Sequence, residues 1–317
     1  VEKKSVLLTG GAGFIGTHLA DALKEKYDII IYDALRRDTL SFFPHLKHHP
    51  SVKIIVGDVL NYDYLKASMN GVFAVIHLAS IAGVSSYYQE SFRTLRVNIL
   101  GTINVLDAML HSGTKMIIDF STSEVYGVDA NNVDEEHLHG IGPVSQKRWV
   151  YAVSKLASEH LTLRFAEEYN LQGICVRPFN IYGPGQTGEG AIRNFVLSLI
   201  AGKPIVIYGN GTDVRAWCYI DDLVHSVITM LETPEAIGMV FNIGNPSQAI
   251  NTRDLAAMII RLYGSGSITY AATEHAPIRL RIPNINRARA ILGFEPKVSL
   301  EEGLKRTLQW YQRETGL

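Results

Sequence analysis

A short apolar run that stops in glycines and restarts as an amphipathic helix leaves this chain few folds to choose from. Ser5-Val6-Leu7-Leu8-Thr9 suits a buried parallel strand. Gly10, Gly11, Gly13 and Gly16 follow, and Phe14, Ile15, Leu19, Ala20 and Leu23 then recur at helical spacing. A strand turning through glycines into a helix aims free N–H groups and the positive helix end at one point, which suits a pyrophosphate. Gly11, Gly13 and Gly16 fit G-x-G-x-x-G, while Gly10, Gly13 and Gly16 fit G-x-x-G-x-x-G. Glycine-rich turns also close plain hairpins, so the motif takes its weight from what surrounds it.

The first support is an acid. Asp28-Ile29-Ile30-Ile31-Tyr32-Asp33 reads as a second strand, and a carboxylate at its end accepts both adenosine-ribose hydroxyls and repels a 2′-phosphate. This favours NAD over NADP, although Arg36 and Arg37 close by are suited to that phosphate. The 317 residues suffice for one large or two modest domains, and 47% apolar content argues against disorder. A net charge of −1 gives no footprint for nucleic acid or an anionic membrane, and no 18-residue apolar run exists. Val1-Glu2-Lys3-Lys4 runs straight into the first strand without a signal-peptide pattern. With only Cys175 and Cys218, the expectation is a cytoplasmic protein with reduced thiols and no metal; His45, His48 and His49 have no ligand partners in sequence.

Strand and helix patterns alternate beyond Asp33. Strands are expected at 52–56, 72–78, 116–120 and 173–177, and helices at 91–111 and 150–169. Leu95, Ile99, Ile103, Leu106 and Leu110 mark the first helix. This pattern predicts an α/β doubly wound parallel (Rossmann) sheet, in which ligands bind past the carboxyl ends of the strands. The glycine turn, Asp33, Asp58, Ala79, Thr122 and Asn180 all fall at such ends. Past Pro184 the elements become shorter and mixed, with helices at 191–201, 221–231, 252–263 and 300–312 and strands at 204–208 and 240–243. Residues 1–180 are therefore read as the dinucleotide-binding domain, and 181–317 as a smaller mixed α/β substrate-binding region interleaved with it.

Tyr151 and Lys155 stand four apart on one helix face, so hydroxyl and ammonium can act together. A tyrosine has an ordinary pKa near ~10, and neighbouring cations favour the phenolate, a base able to take a proton from a sugar hydroxyl. Tyr–Lys pairs are common on surface helices. Here the pair follows a glycine turn and a strand-end Ser121-Thr122-Ser123.

Thr9-Gly10-Gly11-Ala12-Gly13-Phe14-Ile15-Gly16, His77-Leu78-Ala79-Ser80, Ser121-Thr122-Ser123-Glu124-Val125-Tyr126-Gly127, Tyr151-x-x-x-Lys155 and Arg177-Pro178-Phe179-Asn180-Ile181-Tyr182-Gly183-Pro184 together resemble the extended short-chain dehydrogenase/reductases. Within these, the match is to the NAD-dependent nucleotide-sugar epimerases and dehydratases. Arg215-Ala216-Trp217-Cys218-Tyr219-Ile220-Asp221-Asp222 and Leu300-Glu301-Glu302-Gly303-Leu304 extend it over nearly the whole chain. The resemblance implies NAD held by Gly10, Gly13, Phe14, Ile15, Gly16, Asp33, Asp58, Val59, Leu78, Ala79 and Ser80, with Lys155 on the nicotinamide ribose. It makes Tyr151 the base and gives Thr122 the sugar C4 hydroxyl. Asn180 sits by the sugar and first phosphate, and Arg215 with Arg279 or Arg281 clamps the diphosphate, most simply of a UDP-sugar. It also implies a homodimer pairing through the helices 91–111 and 150–169.

The same resemblance bears on the reaction. Simple 4-epimerases usually carry a small residue where Glu124 stands; dehydratases and UDP-glucuronate decarboxylases carry Glu there, preceded here by Ser123. The stretch 142–151 is similar to bacterial UDP-glucuronate decarboxylases, which however have an arginine where Asp221 falls. Glu124 would serve C5-side chemistry after C4 oxidation, either 4,6-dehydration or decarboxylation. The alternatives are a 4-epimerase, a catalytically silent NAD-binding regulator, or a Glu124 that merely salt-bridges a loop arginine.

Overall fold

A computed structural model describes residues 3–272 and 278–316. Val1 and Glu2, where the sequence is read as leading directly into the first strand, lie outside them. The chain opens with β1 (Ser5–Thr9), β2 (Asp28–Asp33), β3 (Val52–Val56), β4 (Val72–His77) and β5 (Met116–Phe120). It continues with β6 (Asp129–Val133), β7 (Gln172–Pro178), β8 (Ile181–Tyr182), β9 (Ile205–Tyr208), β10 (Val214–Ala216) and β11 (Cys218–Tyr219). The last four strands are β12 (Val240–Ile243), β13 (Ala249–Asn251), β14 (Ile268–Ala271) and β15 (Leu280–Pro283).

Seven strands form one parallel sheet in the order β12-β7-β5-β4-β1-β2-β3. The chain reverses direction across the sheet between β1 and β4, and a ligand crevice opens at such a switch point. Both faces are covered, which explains the unbroken apolar runs. Val6, Leu8, Ile76 and Ile118 pack into the core on one side, and Leu7, Val75 and Ile117 into the core on the other. A second sheet, β13-β10-β15-β6, stands beside it. The two parts of the sequence are interwoven: β12 from beyond residue 181 edges the large sheet, and β6 from before residue 180 edges the smaller one. The pairs β8·β11 and β9·β14 complete the architecture.

Two helical segments differ from the sequence expectation. The span 91–111 is interrupted by a π-helical turn over Arg96–Leu100. The turn aims the buried Asn98 amide sideways, where it accepts from Ile81 N at 2.8 Å and donates to Ser154 Oγ at 2.9 Å. A widened turn of this kind often marks a functional site. An additional short helix covers Val84–Gln89, with Ser86 in the lining of a cleft; its Ser-Ser-Tyr-Tyr sequence has no apolar period to announce it.

Candidate active site

The glycine turn is shaped by close approach. Gly10 has φ +70°, and a Cβ there would meet Ala79 N at 2.7 Å. A Cβ on Gly16 would lie 2.5 Å from Gly11 Cα, so both positions exclude any side chain. Gly13 begins the helix Phe14–Leu23 without a side-chain cap, leaving the first N–H groups directed outward. They face a cleft of about 610 Å³ lined by Gly10, Gly13, Phe14, Ile15 and Gly16. Asp33, Asp58, Val59, Leu78, Ala79, Ser80, Thr122 and Tyr151 also line it.

Asp33 accepts from Ala12 N at 3.0 Å and Leu35 N at 2.7 Å, which fixes its carboxylate beside the turn. Burial pushes its pKa up, and the two N–H donors pull it back. Arg36 pairs with Glu90 at 3.0 Å, and Arg37 donates to Ala82 O at 2.7 Å. Both guanidiniums line the cleft, but these contacts engage them with the segment 82–90. Asn104 fixes Val59 by donating to its carbonyl, and Asp58 accepts from Leu60 N. A dinucleotide fits this donor set: bare helix N–H groups for the phosphates, and an acid for the ribose diol.

The helix Trp149–Glu168 brings Tyr151 to the cleft and sinks Lys155 beneath it. Lys155 is 1% exposed, and its nearest carboxylate is Asp119, 3.9 Å away. Lys155 is therefore not part of the cleft wall itself, unlike the other residues expected to hold the cofactor. The Tyr151 phenol is pushed up to about 12, first by burial and then by the Glu124 charge, while the Ser80 and Thr122 side chains draw it down. Tyr87 of the short helix stacks on it, with ring centroids 5.7 Å apart and planes 16° from parallel. Sequence reasoning missed Tyr87, since its only signal was aromaticity in an unpatterned stretch.

Thr122, two residues past β5, caps the short 3-10 turn Ser123–Tyr126, its Oγ1 accepting from Glu124 N at 3.2 Å. Glu124 is held between Arg148 at 3.2 Å and Arg281 at 3.6 Å. It does form the loop-arginine pair that the sequence allows. Arg215, whose pKa burial lowers, also feels the Glu124 charge and lies 3.7 Å from Asp213. Arg281 departs from its expected role as a diphosphate clamp. It is 1% exposed and donates to Ser123 O at 2.7 Å and Gly127 O at 2.8 Å, so it braces the loop that follows Thr122. Arg279 is not brought to the cleft either; its side chain is 70% exposed and pairs with Asp129 at 3.5 Å. Asn180 takes a left-handed conformation (φ +44°) and donates to Ala216 O at 3.0 Å, which ties it to the strand carrying Arg215. Asp221 faces the surface, 3.7 Å from Arg306, and does not contribute charge to the cleft lining. No group of three or more potential metal ligands occurs among the described residues.

A sheet of this order, with a glycine turn after β1, an acid closing β2 and a Tyr/Lys helix beside the cleft, defines a dinucleotide-dependent enzyme of the short-chain dehydrogenase type. Residues 6–244 match the family described as "NAD dependent epimerase/dehydratase family", and the chain belongs to that family. It is 33% identical over 324 residues to UDP-N-acetyl-alpha-D-glucosaminuronate decarboxylase of Bacillus cytotoxicus, covering 98% of each chain. UDP-glucuronate 4-epimerase of Thermodesulfobacterium geofontis is 32% identical, over 96% of this chain and 95% of the relative. Among solved structures, UDP-glucuronic acid 4-epimerase of Bacillus cereus in complex with UDP-glucuronic acid and NAD is 30% identical. Its TM-score is 0.89, over 98% of this chain and 99% of that one.

Proposed function

We propose that the chain is an NAD-dependent decarboxylase of a UDP-linked hexuronate. The observation that carries this reading is Glu124 enclosed by Arg148 and Arg281, with Arg215 in electrostatic reach, beside Tyr151. With Arg281 committed to the loop carbonyls, Arg148 and Arg215 are the guanidiniums near Glu124 that can face an anionic substrate. A UDP-linked sugar that bears its own carboxylate suits such a pair. The relatives named for uronate substrates support the same choice. Asp221, which replaces an arginine of the decarboxylases, lies with Arg306 and leaves that balance untouched.

The role of each residue follows from its place. Gly10, Gly13 and Gly16 admit the pyrophosphate, Asp33 takes the adenosine ribose, and Lys155 supports the nicotinamide ribose from below. Bound NAD supplies a reversible hydride acceptor at the sugar C4. Tyr151 takes the C4 hydroxyl proton, with Thr122 orienting that hydroxyl and Ser123 and Asn180 beside the sugar. The C5–C6 bond then breaks, its electron pair enters the C4 carbonyl and carbon dioxide leaves. Glu124 would govern the proton that C5 regains, after which C4 takes back the hydride and its oxygen takes back the proton from Tyr151. Residues 1–180 act as the cofactor half and 181–317 as the nucleotide-sugar half.

Incubation with NAD⁺ and UDP-glucuronate, or its N-acetylglucosamine counterpart, tests the reading by product mass. Loss of one carbon dioxide is expected; loss of one water would assign a 4,6-dehydratase. An unchanged mass with inverted C4 would assign the second reading, a UDP-glucuronate 4-epimerase, which the comparably similar epimerases favour. NAD bound without turnover of any nucleotide-sugar would leave a silent regulator.

We further infer a homodimer. The stripe Leu95, Ile99 and Ile103 is only half-buried, while Phe92, Leu100, Leu110 and Val153 are exposed on the same pair of helices. Such a face suits a second copy of the chain. Light scattering at micromolar concentration should show twice the chain mass; a monomer there excludes it. With both cysteines buried as free thiols, a cytoplasmic setting fits.

A further inference from the structure

We propose that Asp119 is the buried counter-ion of Lys155 and sets the pH range in which the Tyr151–Lys155 pair operates. The inference rests on the proposed roles of that pair. In β5, Ile118 and Phe120 pack into one core while Ile117 packs into the other. Asp119 shares the Ile117 side by strand alternation, beneath the helix Trp149–Glu168. It is fully buried, and its Oδ1 lies 3.9 Å from Lys155 Nζ. Oδ2 accepts from Ser158 Oγ, whereas Oδ1 has no hydrogen-bond partner among the described residues. A lone ammonium or a lone carboxylate is costly in such surroundings; placed together, each makes the other tolerable.

The other groups around the pair are already spent. His77, on β4, is pushed down to about 3, first by burial and then by the Lys155 charge, and bridges Thr9 and Thr102 as a neutral ring. The Cys175 thiol, on β7, is pushed up by burial and then by Asp119, so it stays protonated. Glu159 and Arg177 pair with each other at 2.6 Å. On the cleft side, Tyr151 meets Glu124, Tyr87, Ser80, Thr122 and Arg37. Asp119 is thus the negative charge that remains for Lys155.

A negative charge raises the pKa of every titrating neighbour, and two coupled groups titrate as a unit. Asp119 keeps the ammonium charged and offsets part of its pull on the Tyr151 phenol. Removing the charge lowers both pKa values together. The acid limb of the pH–rate profile, where Tyr151 must lose its proton, and the alkaline limb, where Lys155 must keep its own, then move the same way.

The test is a ¹³C/¹⁵N-lysine NMR titration of the whole chain without cofactor or substrate, with Lys155→Met used only to assign the signal. In Asp119→Asn and Asp119→Ser the Lys155 signal should titrate at least about one pH unit below its wild-type midpoint, equally in both, while Asp119→Glu, which keeps the charge, should hold that midpoint. A midpoint unmoved in the neutral variants, or lowered in Asp119→Glu, overturns the proposal. So does a shift that follows side-chain size instead of charge. With turnover in hand, both limbs of the kcat profile should fall by about half a pH unit or more. Limbs that stay put while kcat drops would reduce Asp119 to packing. Absence of turnover with every nucleotide-sugar would instead strike the function reading and leave the NMR result standing.

Discussion

Replacing Glu124 with Gln separates its chemistry from its structural ties. Glu124 stands 3.2 Å from Arg148 and 3.6 Å from Arg281, and its side chain is 29% exposed. The amide oxygen of Gln can still accept from a guanidinium, so the substitution removes charge more than contact. Arg281 is 1% exposed, so leaving its charge without this partner costs about 3–5 kcal/mol of the roughly 5–15 kcal/mol that holds a folded chain. The Ser123 and Gly127 carbonyls still hold Arg281, so the variant should fold with lowered stability. Loss of a positioned acid or base, by contrast, costs about 10²–10⁴ in rate. Rapid mixing with NAD⁺ and UDP-glucuronate, followed at 340 nm and by product mass, should show the reduced cofactor forming while the decarboxylated product lags by at least about a hundredfold. The Glu124 charge also raises the Tyr151 pKa, so the acid limb for the oxidation step should move to lower pH. Turnover within about twofold of the wild type would refute the assignment of Glu124 to C5. Equal slowing of oxidation and product formation would make it a positioning residue for the first step.

Gly16→Ala places a Cβ where 2.5 Å separates it from Gly11 Cα, so the turn must open. Calorimetry should find NAD affinity at least about a hundredfold weaker, since the phosphate N–H groups move with the turn; unchanged affinity would show that the cleft is not the cofactor site. His77 contributes a pH-dependent part of stability. Its folded pKa of about 3 lies below the unfolded value, so the unfolded chain binds the extra proton and stability falls as pH drops from about 6.5 toward 3. Urea unfolding should lose about 2 kcal/mol between pH 7 and pH 5 from this residue, and His77→Gln should flatten that slope. A slope unaltered in the variant would place the acid sensitivity elsewhere, for example at His18 or His139, whose pKa values burial also lowers.

How much was legible follows from the range of the forces involved. β1, the middle of β2, and β4 stood out because a parallel strand covered on both faces is a nearly unbroken apolar run. The glycine turn and Asp33 were legible because their function depends on local backbone and fixed spacing. The helix period of 91–111 was correctly read, yet its stripe through Leu95, Ile99 and Ile103 does not form the buried face. Thr94, Asn98, Thr102 and Val105 do, since this side supplies hydrogen-bonding partners to Ser154 and Ser158 of the helix Trp149–Glu168. Hydrophobic periodicity has no term for a polar face buried in this way. The arginines around Glu124 were illegible for a plainer reason. Arg148 enters from the start of one helix and Arg281 from β15, and no local spacing relates them to residue 124.

The two halves of the site are consequently held by different means. On the cofactor side, close packing of backbone on backbone at Gly10 and Gly16 fixes the turn, and one misplaced methyl group is enough to open it. On the substrate side, the loop carrying Thr122, Ser123 and Glu124 is held by a guanidinium that reaches across from β15 to two of its carbonyls. Among the described residues, Glu124 is the carboxylate within 4 Å of the buried Arg281, so its charge is shared among backbone dipoles and that side chain. Any change of charge at position 124 is therefore felt by the residue that positions the loop. In this chain Glu124 and Arg281 are best understood as one unit, which is why the arginine expected to grip the diphosphate is found bracing the acid instead.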